Sequence, residues 1–205
     1  YIPSDTNDEG ILKATASGVL PSGQPVIVNA DGTVSVVAET SVSEAVGSPA
    51  VFESASIVAT GTLPSAAFDS ANNKVVIAYS DGGNSNYGTA VVGTISGTSI
   101  SFGTPVVFNS LRSDQTVIVF DSSNSKIVVS YLSNQGGALA KSIVGTVSGT
   151  TISFGTAVTW LNTNTLYLTS VFDSTNNKVV LAYNENLSNT GKAIVGTVSG
   201  TTISF

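Results

Sequence analysis

The 205-residue chain contains no cysteine, no histidine and no methionine, and a single tryptophan. Without cysteine there is neither a disulfide framework nor thiolate chemistry. Without histidine the commonest general base and the commonest metal ligand are both missing. The many serines then read as turn and surface residues, because a nucleophilic triad needs a base beside its serine. Charge is also scarce: charged residues make up 10%, with seven Lys+Arg against thirteen Asp+Glu, net −6. Such a field repels phosphate backbones, so nucleic acid is not an expected partner. No run approaches about 18 consecutive apolar residues, so no membrane span is expected. The chain begins Tyr1-Ile2-Pro3, which reads as a processed or internal start, and no basic segment leads into an apolar stretch as in a signal peptide.

What the chain has is repetition. The phrase Val-Gly-Thr-x-Ser-Gly-Thr occurs at Val92–Thr98, Val144–Thr150 and Val195–Thr201, each running on into Ile-Ser-Phe at Phe102, Phe154 and Phe205. A second phrase, Phe-Asp-Ser, begins at Phe68, Phe120 and Phe172, 52 residues apart both times. A tandem period near 50 residues marks a repeat array. It also argues against an enzyme, since a catalytic constellation is asymmetric.

Each period splits into four short β segments. In the middle copy the first is Thr116–Phe120, ending in the turn-forming run Asp121–Lys126. The second, Ile127–Tyr131, is nearly all apolar, like Val75–Tyr79 and Val179–Tyr183, which suits a strand covered on both faces. The third is Ser142–Val147, closed by a Ser-Gly-Thr hairpin turn. The fourth runs from Thr151 to about Trp160, with Gly155 expected to mark a bulge or kink. Four antiparallel strands in one such period match a propeller blade better than a sandwich, which needs about 100 residues. The expected fold is therefore all-β: tandem ~52-residue four-stranded antiparallel repeats, β-propeller-like, preceded by a small β module.

The expected organisation is a flexible or extended arm at 1–10, a small β module at 11–46, and three repeats at 47–205. The repeats fall at about 53–104, 105–156 and 157–205, with 47–52 as a displaced half-strand matching Gly103–Phe108. In the module, Ile11–Gly18 reads as a strand, and 25–29 with 33–37 as a hairpin around Ala30-Asp31-Gly32. Three blades are fewer than the about four to eight of a closed ring. More repeats after Phe205, or several chains, are expected to complete it. Gly47–Phe52, through Pro49, Val51 and Phe52, is the expected assembly strand, adding to the open last strand of another copy.

Candidate chemistry is thin. Asp69, Asp121 and Asp173, with Asn73, Asn124 and Asn177 nearby, form a recurring set that reads as turn chemistry rather than a cation ring, because each turn brings one carboxylate. Lys74, Lys126 and Lys178 follow at one phase and read as solvated turn cations. Glu53 with Glu185 or Asp81 is the nearest approach to a carboxylate pair, and none of them sits in a recognisable motif. Gly82-Gly83 and Gly136-Gly137 do not join a strand to a helix, so they are turns and not phosphate loops. Asn186-Leu187-Ser188 matches a glycosylation sequon in a chain rich in Asn and Ser. The loops between second and third strands differ while their flanks match. They carry Asn84, Asn86 and Tyr87, then Asn134 and Gln135, then Asn186 and Asn189, amides and an aromatic suited to ligand or partner contact.

The phrases Phe-Asp-Ser-x-Asn-Asn-Lys-Val-Val and Val-Gly-Thr-Val-Ser-Gly-Thr-Thr-Ile-Ser-Phe resemble repeats of tail-fibre-like and other virion surface proteins of marine bacteriophages. The stretch Ala14–Val34 resembles the module that often precedes them. This resemblance implies a non-enzymatic fibre or spike component on the virion surface or elsewhere outside the cell, without a cofactor. Its implied partners are copies of itself, other virion or filament proteins, and a host-surface glycan. A lectin-like propeller and a secreted bacterial adhesin are the alternatives.

Overall fold

A computed structural model of the chain describes residues 14–20, 22–23, 25–36, 47–54, 63–134 and 137–205. The chain divides into two compact units, Tyr1–Ala45 and Val46–Phe205. Described residues form strands, turns and irregular segments with no helix, so none is long and apolar enough to cross a membrane.

In the first unit, β1 (Thr15–Ala16) runs parallel to β3 (Thr33–Val36), and β2 (Val26–Val28) pairs antiparallel with β3. The β2–β3 turn is fixed by Asp31, whose carboxylate accepts from Thr33 N (3.0 Å) and Thr33 Oγ1 (2.7 Å), while Gly32 supplies φ +82°. Of the expected strand Ile11–Gly18, only Thr15–Ala16 is extended; 11–13 lie outside the described residues.

The second unit holds the three repeats. Repeat one contributes β4 (Ser65–Asp69), β5 (Lys74–Asp81), β6 (Tyr87–Ser96) and β7 (Ser99–Phe102). Repeat two contributes the second half of β8 (Val106–Asp121), β9 (Lys126–Asn134), β10 (Ala138–Ser148) and β11 (Thr151–Phe154). After β12 (Val158–Leu161), repeat three contributes β13 (Thr165–Asp173), β14 (Lys178–Glu185), β15 (Thr190–Ser199) and β16 (Thr202–Ser204). Consecutive strands within each repeat pair antiparallel, and β13-β14-β15-β16 is a complete four-stranded sheet. No closed ring or barrel forms among the described residues.

The fourth strand, expected from Thr151 to about Trp160 with a bulge or kink at Gly155, runs as two pieces, β11 and β12, which add in succession to the same edge of β10 and part at Gly155. Gly155, between them, still donates its N–H to Val144 O at 2.9 Å, and Gly103 does the same to Val92 O. In the preceding copy the second piece is the leading half of β8, where Val106 is opposite Ala90. The trailing half of β8 is the first strand of repeat two, with Phe120 opposite Ile127. One continuous strand thus leaves the edge of one repeat and opens the next.

Strand alternation explains the two cores. Val76 and Ala78 of repeat one point into a core with Ile127, Val129 and Tyr131 of repeat two. Val128, on the other face of β9, joins Val179, Leu181 and Tyr183 of repeat three. Side chains alternate between faces along a strand, so each repeat stacks one face on the previous repeat and the other on the next.

The same junction recurs at each stack. Phe108 packs on Tyr131 and Phe154 at ring-centroid distances of 5.0 and 5.7 Å. Trp160 packs on Tyr183 and Phe205 at 5.1 and 5.9 Å. Ahead of repeat one, Phe52 packs on Tyr79 and Phe102 at 5.2 and 5.8 Å. Beside each aromatic trio a glycine backbone lies against the hairpin threonine of the next repeat. A Cβ on Gly47, Gly103 or Gly155 would meet the carbonyl oxygen of Thr98, Thr150 or Thr201 at 2.3, 1.9 or 2.0 Å. The hairpins themselves place Gly97, Gly149 and Gly200 at φ +57 to +60°, glycine being first of a two-residue loop as a type II′ turn requires.

Candidate functional site

The recurring aspartates are turn residues. Asp121 Oδ1 accepts from Ser123 N and Asn124 N, both at 3.0 Å, and Oδ2 accepts from Asn124 Nδ2 at 2.8 Å. Asp69 and Asp173 make the same three bonds with 71–72 and 175–176. The left-handed residue that closes each turn is Asn73, Ser125 or Asn177, so the structural counterpart of Asn73 is Ser125 and not Asn124. Hydrogen bonds from Asn176 hold the Asp173 carboxyl below the usual carboxylate range. The lysines reach across the sheet: Lys126 Nζ donates to Thr146 Oγ1 and Lys178 Nζ to Thr197 Oγ1, both at 2.8 Å. No group of three or more acidic side chains suited to a metal ion occurs among the described residues.

The nominated carboxylates separate into two situations. Glu185 accepts from Lys192 Nζ and Ser188 Oγ, each at 2.6 Å, and the lysine is the first cause of its lowered pKa. Glu53 and Asp81, distant in sequence, come together beside Tyr79, whose hydroxyl donates to Glu53 Oε2 at 3.4 Å. Burial, then the Glu53 charge, pushes the Asp81 carboxyl up. Burial, then Glu53, likewise pushes the Tyr79 hydroxyl up. Hydrogen bonding with Glu53 adds to the rise at Asp81, a pairing unlike the two separated carboxyls of a glycosidase.

In the amide-bearing loops the side chains of Asn134 and Asn189 are hydrogen-bonded within the protein, and Asn84, Asn86 and Asn186 are held through their main chain. Asn84 N donates to Asp81 O, Asn86 O accepts from Ser113 N and Ser80 Oγ, and Asn134 Nδ2 donates to Asp114. Asn189 Oδ1 accepts from Asn184 Nδ2, and Asn186 N donates to Asn164 O. Tyr87 is half-buried, opposite Arg112 in the sheet. Gln135 lies outside the described residues. These loops sit at one end of the sheets, since Arg112 is the register partner of Asn134 and Thr165 of Glu185.

Toward the same end the first strands create a feature that the loops do not. The register of β8 slips between Asp114 and Val117, and that of β13 between Leu166 and Thr169. At the slips Gln115 and Tyr167 adopt φ +51° and +54°. A non-glycine residue in this region costs about 1–2 kcal/mol, and neither Gln nor Tyr is a usual left-handed turn former. The two are 52 residues apart, and Leu63 occupies the same phase in repeat one. Together with Pro64, Ser65, Thr116, Val117 and Leu168 they line a cavity of about 550 Å³. The first strands are packed side by side here, with Ile118 N donating to Ser65 Oγ at 3.3 Å.

No family model, curated protein or solved structure matches the chain.

The cavity is therefore read from its own chemistry. None of its eight lining residues is charged. Tyr167 is 80% exposed, offering a ring face, and Leu63 of the same lining is 79% exposed. Thr116 is buried, and its Oγ1 has no hydrogen-bond partner in the protein. A buried hydroxyl without a partner costs about 1–3 kcal/mol, a local strain that adds to that of the left-handed Gln115 beside it. Sequence reasoning missed this site because Leu, Gln and Tyr share no chemistry. Its one signal is dissimilar residues at constant phase.

Proposed function

We propose that this chain is a non-enzymatic structural and attachment component of an extracellular fibre or filament. Its repeats act as propeller-like blades, and the cavity lined by Leu63, Gln115 and Tyr167 holds a neutral sugar of a host surface. The observation that carries the reading is the pair of left-handed bulges, which turn two unlike side chains into one uncharged cavity. Strained backbone of this kind concentrates at functional sites. An exposed tyrosine ring stacks on the apolar face of a pyranose, while the Gln115 amide both donates and accepts. A cavity of this size is typical of small-ligand sites.

The blade assignment is supported by the face-to-face stacking of consecutive four-stranded repeats and by the passage of β8 from the edge of one repeat to the first strand of the next. The fibre assignment is supported by the resemblance of the repeat phrases to virion surface proteins. A neutral-glycan array, followed by calorimetry of any hit, tests the attachment reading. Binding that weakens at least about tenfold in Tyr167→Ala, the loss of one aromatic contact worth about 1.4 kcal/mol, supports it. Absence of binding, or binding indifferent to Tyr167, contradicts it.

A further inference from the structure

Two sheet faces in the repeat unit lack the cover that their counterparts have. On repeat three, Val195 is 52% exposed, while Val92 and Val144 at the same phase are fully buried against the next repeat. Val171, 58% exposed, stands where Val119 joins the core between repeats two and three. On repeat one, the opposite face is covered at Tyr79 and Val91, both fully buried, and open farther along. Ile95 is 54% exposed against 6% for Val147 and 7% for Val198, and Phe68 is 53% exposed where Phe120 and Phe172 pack into the two cores. The first of these is the face each repeat turns toward its successor, and the second is the face each turns toward its predecessor. They are the two halves of an interface that the chain already builds twice.

The backbone is incomplete in the same sense. β6 receives the leading half of β8 on its outer edge, and β10 receives β12 at Lys141 and Ser142. β15 pairs with β16 only at Thr197–Ser199, and its edge at 190–194 has no strand among the described residues. Residues 47–52 match the missing piece in phase, with Phe52 already seated on Tyr79 and Phe102, yet they form no strand.

We infer that a second copy of this chain docks head-to-tail, its repeat-one face on the repeat-three face of the first. Its segment 47–53 then adds to the outer edge of β15. The internal registers Ala90↔Val106 and Ser142↔Val158 dictate Ala193 opposite Ala50 of the second copy. The internal registers Gly88↔Asn109 and Ala140↔Leu161 likewise dictate Gly191 opposite Glu53 of the second copy. Burying the Val171, Val195, Phe68 and Ile95 side chains supplies the apolar drive, and new ladder bonds silence an otherwise open sheet edge. The contact is heterologous, so it propagates to a closed ring or an open filament. It involves no residue of the sugar cavity, and glycan binding and self-association succeed or fail separately.

Light scattering coupled to gel filtration tests this on the intact chain and on two variants at exposed positions, Val195→Asp (tail blocked) and Phe68→Asp (head blocked). The wild type is expected at multiples of 20.7 kDa, increasing with concentration. Each variant alone is expected as a monomer with an unchanged circular-dichroism spectrum. A 1:1 mixture is expected to give a heterodimer, because one variant keeps a working head and the other a working tail. A wild type that stays monomeric at every concentration, variants that associate like the wild type, or a mixture that stays monomeric overturns the inference.

Discussion

Replacing Gly103 by alanine puts a methyl group where the junction between repeats one and two has no space. The added Cβ would lie 1.9 Å from Thr150 O and 2.9 Å from the Thr150 carbonyl carbon. A carbon–oxygen contact is normally about 3.3 Å or more, so the two backbones must part by roughly 1.4 Å. The obstacle is main chain in a hairpin and has no rotamer by which to withdraw. Overpacking costs about 1–3 kcal/mol, and the upper end, about 3 kcal/mol, applies here. For a chain of this size that lowers Tm by about 6–12 °C. Gly155→Ala, facing Thr201 O at 2.0 Å, should behave alike. Gly149→Ala is the control: its Cβ would enter open space and only the φ of +59° penalises it, by about 1 kcal/mol. Thermal and urea unfolding followed by circular dichroism measures all three. If Gly103→Ala and Gly155→Ala are no worse than Gly149→Ala, the close-packed junction is wrong.

Tyr167→Gly should stabilise the fold by about 1 kcal/mol by relieving the left-handed backbone while weakening sugar binding, a trade visible by comparing urea midpoints with calorimetry. Because burial and Glu53 raise the Asp81 pKa, the folded chain binds that proton more tightly than the unfolded chain. This group therefore adds stability as pH falls from neutrality toward the unfolded value of 3.8, and nothing further below it. Asp81→Asn should remove that gain and raise stability at pH 7; urea midpoints that change with pH as in the wild type would refute it. Asp121→Ala loses three turn hydrogen bonds at a fully buried carboxylate and should cost about 2 kcal/mol, measured by urea unfolding.

The fold was legible where the signal was periodic. Alternation of Val128 and Val129 between two cores is what an apolar run such as Ile127–Tyr131 encodes, and the Ser-Gly-Thr turns sit where their glycines say. The interruption at Gly155 was legible as a bulge or kink, whereas the close seats of Gly103 and Gly155 on Thr150 and Thr201, 46–47 residues further along the chain, were not. Phe52 was legible as a displaced piece of repeat from its phase, whereas its seat on Tyr79 and Phe102 required the structure. Glu53 and Asp81 were nominated as a pair without a motif to place them, and the structure brings them together beside Tyr79. The Leu63–Gln115–Tyr167 cavity was hidden, because it is assembled from different repeats at positions where the repeat pattern varies instead of recurring.

The central claim is that consecutive repeats stack through one recurring aromatic junction. Aromatic NOE spectra of the intact chain test it most directly, since centroid separations of 5.0–5.9 Å lie within reach of proton contacts. The account requires cross-peaks from Phe52 to Tyr79 and Phe102, from Phe108 to Tyr131 and Phe154, and from Trp160 to Tyr183 and Phe205. Cross-strand contacts within each repeat without these junction peaks would mean that the repeats fold but do not stack, and would contradict the account.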